Sequence, residues 1–442
     1  MINPKIITNW LHLPKDIQIK ILFYLPYEEM LRIIGLPLSK KSIKLFEPKS
    51  SFWARLIYRV FKVGISTKEI ESNVYSSDLK HEYHMFDQCK YNVDFCSKKY
   101  MEIIINNPKY IICYPRHGKN EKINLKLVQS LINLSVLHIQ NIYISINIFK
   151  NLPKLSSLYI WSNVQIPVHF MKSLNKLKRL RIYGNIDITN KHLTPLRNLR
   201  HVILSGETNI KIEGLKTIPK LYGLNLINNN NIKDDDFKYL NLKRLCLINV
   251  AVSDQALKHL KNLKMLTLSG CNITDEGLKY LPELKYLSYT KTKKYGQNIN
   301  IDGLKVLKSL ESLSLNKVDL PINELSKLPK LKRLSLIRSK CVSEDFKSLT
   351  GLQSLEIKYC PNVDDTLFDH LPNLTQLFLT LRVGKDNITI DGLSKCYEIS
   401  NLKKIIILSI YNSTEHGLRK LPISINIDEL REKLKGVDIN IN

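Results

Sequence analysis

Four side chains of the kind that bind zinc fall between residues 81 and 96: His81, His84, Cys89 and Cys96, spaced His-x2-His-x4-Cys-x6-Cys. Imidazole and thiolate are zinc's usual protein ligands, and four of them can close a tetrahedral site. Zinc fingers bring their ligands as tight pairs flanking a longer loop, which this spacing does not do. The stretch reads instead as a linker helix or first repeat, with Met85, Phe86, Cys89 and Phe95 packed inward and the histidines outward. No metal is expected. The remaining cysteines, Cys113, Cys246, Cys271, Cys341, Cys360 and Cys396, are scattered, with no disulfide framework and no histidine pairing that would make a nucleophile. There is no Gly-rich phosphate loop, no Gly-x-Ser-x-Gly elbow and no His-Glu-x-x-His. The sequence therefore predicts neither cofactor nor catalysis.

Recognition is the chemistry it does carry. Ser157, Tyr159 and Trp161 alternate with Leu158 and Ile160, and Arg179, Arg181 and Tyr183 alternate in the same way one repeat later. Tyr, Trp and Arg are the residues that most often dominate interface energy. Later segments offer Arg244, Arg333, Glu356, Lys358, Phe378 and Lys404 at equivalent positions, a mildly basic and mostly polar face.

What must position these residues is a repeat. Anchor leucines stand at Leu134, Leu155, Leu177, Leu199, Leu221, Leu242, Leu263, Leu284, Leu310, Leu331, Leu352, Leu374 and Leu402. Their spacing is 21 or 22 residues except from Leu284 to Leu310 and from Leu374 to Leu402. Such a period is the signature of a leucine-rich-repeat solenoid, with a parallel sheet on a concave face and short helices on the convex one. In the repeat from Asn262, Leu263, Leu266 and Leu268 point inward while Met265, Thr267 and Ser269 face out. Thr274 or Asp275 caps a short helix, and related helix starts are expected at Ser253-Asp254, Ile301–Leu304, Ile390–Leu393 and Thr414–Leu418. Lys109–Tyr114 is expected as the strand of an irregular first repeat, and the tail, with Ile427, Leu430 and Leu434 on one helical face, as a closing cap. The insertion carrying Lys291, Lys293, Lys294 and Tyr295 is either a solvated loop or a second contact point. The fold class is α/β.

The first sixty or so residues have another pattern. Asp16 caps a helix with Ile17, Ile21, Leu22 and Leu25 on one face, Pro26 interrupts, and Phe52 and Trp53 open an aromatic-rich cluster. Leu13-Pro14, Ile17, Ile21-Leu22, Leu25-Pro26, Ser39-Lys40-Lys41, Leu45 and Phe52-Trp53 fall at the landmarks of the F-box motif, which residues 11–57 resemble. Ser42-Ile43 replaces the customary aromatic in the middle. The resemblance implies that Leu13, Pro14, Ile17, Ile21, Leu22, Leu25, Pro26, Phe52 and Trp53 dock on a Skp-family subunit, and through it a cullin, in an SCF-type ubiquitin ligase. The repeats would then hold a protein substrate on Tyr159, Trp161, Arg179, Arg181 and Tyr183. The organisation expected is a helical F-box module over 1–61, linker helices over 62–103, the solenoid over 104–426 and a cap over 427–442.

Charge and hydropathy bound the alternatives. Lys+Arg 67 against Asp+Glu 40 gives a net charge of +27. The basic residues are spread along the chain and lack the repeated stacking aromatics of a nucleic-acid groove, so an acidic protein partner is favoured over nucleic acid. Heavy use of Lys, Ile and Asn fits an AT-rich coding genome. No apolar run approaches the roughly 18 residues of a membrane span, and the N-terminal segment lacks a signal-peptide core, so an intracellular location, cytoplasmic or nuclear, is expected. The rival reading is a leucine-rich scaffold or inhibitor with no ligase role.

Overall fold

A computed structural model describes residues 152–161, 166–184, 186–292, 299–382 and 395–410, with short stretches at 110–113, 135–140, 387–389, 392–393, 413–414, 417–418 and 438–441. The F-box-like segment, the linker and the four zinc-type ligands lie outside these residues. Two compact units divide the chain, Met1–Lys220 and Leu221–Asn442.

In the first unit β1 (Tyr110–Cys113), β2 (Val136–Gln140), β3 (Ser157–Trp161), β4 (Arg179–Tyr183) and β5 (His201–Ser205) pair in parallel and in chain order. The sequence period becomes the sheet register: Leu158 lies opposite Leu180, and Leu180 opposite Val202. Alternation along each strand sends Leu158, Ile160, Leu180, Ile182, Val202 and Leu204 to one side, where all are fully buried. Single helical turns, α1 (Val168–Met171), α2 (Asn190–Leu193) and α3 (Ile212–Leu215), close that side with Phe170, Met171, Leu193 and Leu215.

The second unit continues the scheme. Its strands are β6 (Gly223–Ile227), β7 (Arg244–Ile248), β8 (Met265–Ser269), β9 (Tyr286–Thr290), β10 (Ser312–Asn316), β11 (Arg333–Ile337), β12 (Ser354–Lys358), β13 (Gln376–Arg382), β14 (Lys404–Ile410) and β15 (Asp438–Ile441). Each pairs in parallel with the next. Between strands run one-turn helices, α4 (Asp254–Leu257), α5 (Asp275–Leu278) and α6 (Ile301–Lys305), or 3₁₀ turns such as Ile322–Lys327 and Ser343–Phe346. A crossover this short has little room for an α-helical ladder, and the 3₁₀ form spans more length per residue. Both units are thus leucine-rich-repeat architecture: no repeat closes a core alone, and each leucine row is buried by the rows beside it.

Two expectations are amended. Thr414–Leu418 is not a helix start: Ser413–Thr414 and Gly417–Leu418 pair antiparallel as a minimal hairpin. At the tail, Asp438–Ile441 is a strand that extends the sheet beside β14, where the hydrophobic pattern suggested only a cap. The strand expected at Lys109–Tyr114 is present as β1.

A polar relay stitches the helical turns together. The first residue of one turn accepts hydrogen bonds from the cap residue of the next repeat: Asn190 Oδ1 from Lys211 N (2.8 Å), Asp234 from Ser253 N (2.9 Å), Asp254 from Thr274 N (2.8 Å), and Asp275 from Asn300 N (2.8 Å). Asp254 and Asp365 also accept from the hydroxyls of Thr274 and Thr389, at 2.7 and 2.5 Å. The carboxylates fill the space beside a glycine, so a Cβ on Gly277 would lie 2.3 Å from Asp254 Oδ1, and one on Gly303 2.0 Å from Asp275 Oδ1.

Just after the strand the chain turns through left-handed backbone in repeat after repeat. Gly184, Gly206 and Gly270 adopt it, as do Asn228 and Asn249, the residue types that tolerate it. In three later repeats the place is taken by Lys317 (φ 59°), Arg338 (φ 54°) and Tyr359 (φ 56°). A bulky residue there costs roughly 1–2 kcal/mol in Cβ–carbonyl crowding.

Candidate interaction surface

β3 and β4 lie side by side with Ser157 opposite Arg179, Tyr159 opposite Arg181, and Trp161 opposite Tyr183. All six side chains leave the sheet on the face away from the leucines, as the alternation requires. The five predicted contact residues therefore meet, and they meet in an ordered way. Trp161 and Tyr183 stack with ring centroids 3.8 Å apart and planes 7° from parallel. The Arg181 guanidinium sits over the Tyr159 ring, 4.5 Å from its centroid. An offset aromatic stack is worth about 0.5–1.5 kcal/mol beyond area burial, and a cation–π contact about 0.5–2. Those energies hold four large side chains in set rotamers before anything binds, which lowers the entropy lost on association.

Burial refines the picture. Tyr159, Trp161, Arg179 and Arg181 are half-buried, whereas Tyr183 is 8% exposed and Ser157 2%. Tyr183 is thus a support under Trp161 more than a contact in its own right. On β5 the same face continues with His201, then Ile203 and Ser205, both buried. The surface offers flat aromatic and guanidinium planes, a chemistry that suits planar, anionic or aromatic groups.

The other predicted outward positions are in place but chemically quieter. Arg333 is exposed, and Arg244, Phe378 and Lys404 are half-buried. Glu356 accepts from Ser335 Oγ at 2.5 Å and pairs with Lys358 Nζ at 2.7 Å, so these charges offset one another. The turn cysteines are structural: Cys271 and Cys360 are buried and their thiols point at the Leu247 and Leu336 carbonyls, 3.3 and 3.6 Å away. Burial raises the Cys271 pKa, and it pushes Cys396 up to about 12, leaving both as neutral thiols at physiological pH.

No protein-family model and no curated protein sequence matches the chain. Solved structures do resemble it. An internalin, InlF, from Listeria monocytogenes is similar over 71% of this chain and 88% of its own, at 22% identity and a TM-score of 0.42. The Toll–Spätzle complex of Drosophila is similar over 76% of this chain and 56% of that one, at 14% identity and a TM-score of 0.43. A TLR13–ssRNA13 complex is similar over 66% of this chain and 52% of that one, at 21% identity and a TM-score of 0.41. This chain thus spans only about half the length of those last two. The repeat architecture rests on the strand register above, not on these likenesses. Among the described residues no helix is long and apolar enough to cross a membrane.

Leu13, Pro14, Ile17, Ile21, Leu22, Leu25, Pro26, Phe52 and Trp53, together with Lys293, Lys294 and Tyr295, lie outside the described residues. What sequence reading missed is the row of turn residues Lys317, Arg338 and Tyr359. Laying the repeats over one another would have found it, because these residues stand where Gly184, Gly206 and Gly270 stand.

Proposed function

We propose that this chain is the substrate-recognition adaptor of an SCF-type ubiquitin ligase. Residues 11–57 dock on a Skp-family subunit and thereby on a cullin, and the repeats hold a protein substrate at Tyr159, Trp161, Arg179 and Arg181, with Tyr183 beneath them. The observation that carries the substrate half is the ordered pair of contacts on β3 and β4, Arg181 over Tyr159 and Trp161 on Tyr183. The ligase half is supported by the spacing of Leu13-Pro14, Leu25-Pro26 and Phe52-Trp53 in the sequence. The chain contributes proximity rather than bond chemistry, raising the effective concentration of substrate lysines near the transfer machinery. An acidic substrate suits the two arginines and the net charge of +27.

The test is co-purification of the full chain with a Skp-family subunit, alongside the double variant Ile21→Asp/Leu25→Asp. Association abolished by the double variant is the expected result. No association, or association that survives both aspartates, would leave a leucine-rich scaffold or inhibitor without a ligase role. The substrate surface is tested separately: Trp161→Ala and Arg181→Ala should each remove captured substrates while leaving Skp association intact.

A further inference from the structure

A second surface lies at the strand-end turns of the second unit. Thr290 of β9 is paired with Asn316 of β10, so Lys291 and Lys317 follow as neighbours, and Ile337 places Arg338 beside Lys317 in the same way. Backbone bonds lock the row: Lys291 N donates to Asn316 O at 3.0 Å, Lys317 N to Ile337 O at 2.8 Å, and Arg338 N to Lys358 O at 2.8 Å. All three cations are exposed. Arg338 lies over the Tyr359 ring, 5.3 Å from its centroid. Beside them is an open depression of about 460 Å³ lined by Arg338, Ser339, Lys340, Tyr359 and Pro361.

Three features separate this row from ordinary surface charge. First, Lys317, Arg338 and Tyr359 occupy left-handed backbone that five other repeats give to glycine or asparagine, so folding alone does not require these residue types. Strain kept where the fold offers a cheaper residue is the mark of a functional constraint. Second, among the described residues no carboxylate pairs with Lys291, Lys317 or Arg338. The acid of this edge, Asp319, accepts from Lys340 N at 3.0 Å and lies 3.8 Å from Lys340 Nζ. Third, adjacent parallel strands are about 4.8 Å apart, so the three turn positions fall within roughly 10 Å. That is about one Debye length at physiological salt, and the three charges act jointly on an anion.

We propose that this row of turns is a docking site for an extended acidic segment of a partner protein. Carboxylates on one face of an extended chain recur about every 6–7 Å, a spacing that the flexible lysine and arginine stems can meet from turns one repeat apart. The Arg338–Tyr359 pair supplies a flat end-stop against which such a segment rests. Single-stranded nucleic acid fits less well: it needs an aromatic platform for successive bases, and the one ring in this row lies under Arg338. A lone phosphate needs convergent donors, whereas these are strung out in a line.

The test uses a fluorescein-labelled peptide of about ten residues alternating Glu and Ser, enough to cross the row. Its binding to the full chain is read by anisotropy at physiological salt, with an oligo-uridine RNA of similar length in parallel. The decisive variant is Lys317→Asn/Arg338→Asn, which installs the residue this chain itself uses at Asn228 and Asn249. Peptide affinity is expected to fall about tenfold or more while Tm stays level or rises, since charge is lost and crowding is relieved. The same loss is expected when Lys317→Asn/Arg338→Asn is made in an Arg181→Ala parent, which separates this site from the one on β3 and β4. No binding of the peptide, equal binding by the double variant, a double variant less stable than the parent, or RNA bound more tightly than peptide would each overturn the proposal.

Discussion

Replacing Gly277 by alanine should destabilise the protein, against the usual preference for alanine in a helical turn. Alanine in such a position is ordinarily favoured over glycine by about 0.5–1 kcal/mol. Here the new Cβ would lie 2.3 Å from Asp254 Oδ1 and 3.2 Å from Leu257 Cδ1. The carboxylate must leave, and in leaving it gives up the bonds from Thr274 N at 2.8 Å and Thr274 Oγ1 at 2.7 Å. Asp254 and Thr274 are both half-buried, so each of these charge-assisted bonds is worth about 1 kcal/mol after discounting for solvent. The net expected loss is about 1–2 kcal/mol, measured as the shift in urea midpoint by far-UV circular dichroism. A double-mutant cycle gives the sharper test. With Asp254→Ala already in place only the end of the Leu257 side chain, at 3.2 Å, must give way, and Gly277→Ala should turn stabilising by up to about 0.5–1 kcal/mol. If it costs the same in both backgrounds, the carboxylate is not what keeps Gly277 a glycine.

Two further outcomes are expected. Native protein treated with a thiol-specific reagent should leave Cys246, Cys271, Cys341, Cys360 and Cys396 unmodified until denaturant is added, because all five are buried; mass-spectrometric labelling of Cys271 or Cys360 at the rate of a free thiol would contradict this. Acid stability should carry a contribution from Glu324, whose pKa the Lys327 and Lys305 ammonium groups hold down to about 2, at 2.6 and 2.9 Å. A depressed carboxylate stabilises the fold above its unfolded pKa and stops doing so as pH falls toward the folded one, so Glu324→Gln should flatten the stability–pH curve slightly between about pH 4.5 and 2. An unchanged slope would show that these exposed ion pairs carry nothing.

The repeat was legible because one physical demand, burial of a leucine row by the rows on either side, is written once every 21 or 22 residues. The same period fixes register, and register is why Tyr159 and Arg181 could be placed together from sequence. The cap was only half legible. Thr274 does cap its own turn, accepting from Glu276 N at 3.2 Å, but its neighbour Asp275 reaches forward to Asn300, a role no local pattern reveals. Burial on the outward face was not legible either. Ser157 and Tyr183 sit at outward positions yet are covered, because alternation tells the direction of a side chain and not the size of the ones around it. Lys317, Arg338 and Tyr359 escaped notice for a related reason: a left-handed turn is announced by glycine or asparagine, and these are neither.

The relay between helical turns also gives the array a direction. Several caps are completed by an acceptor from the repeat that precedes them, as Asp254 serves Thr274 and Asp275 serves Asn300. On a ribosome the acceptor emerges first, so a repeat capped in this way meets a finished template rather than waiting for one. The two ends of a truncated array are correspondingly unequal. Removing the repeats after Asp275 leaves its carboxylate to water, while removing those before Asn300 takes away the anionic acceptor at the start of a helical turn, where negative charge is favourable. Trimming from the C-terminal side should therefore be the gentler way to shorten this protein.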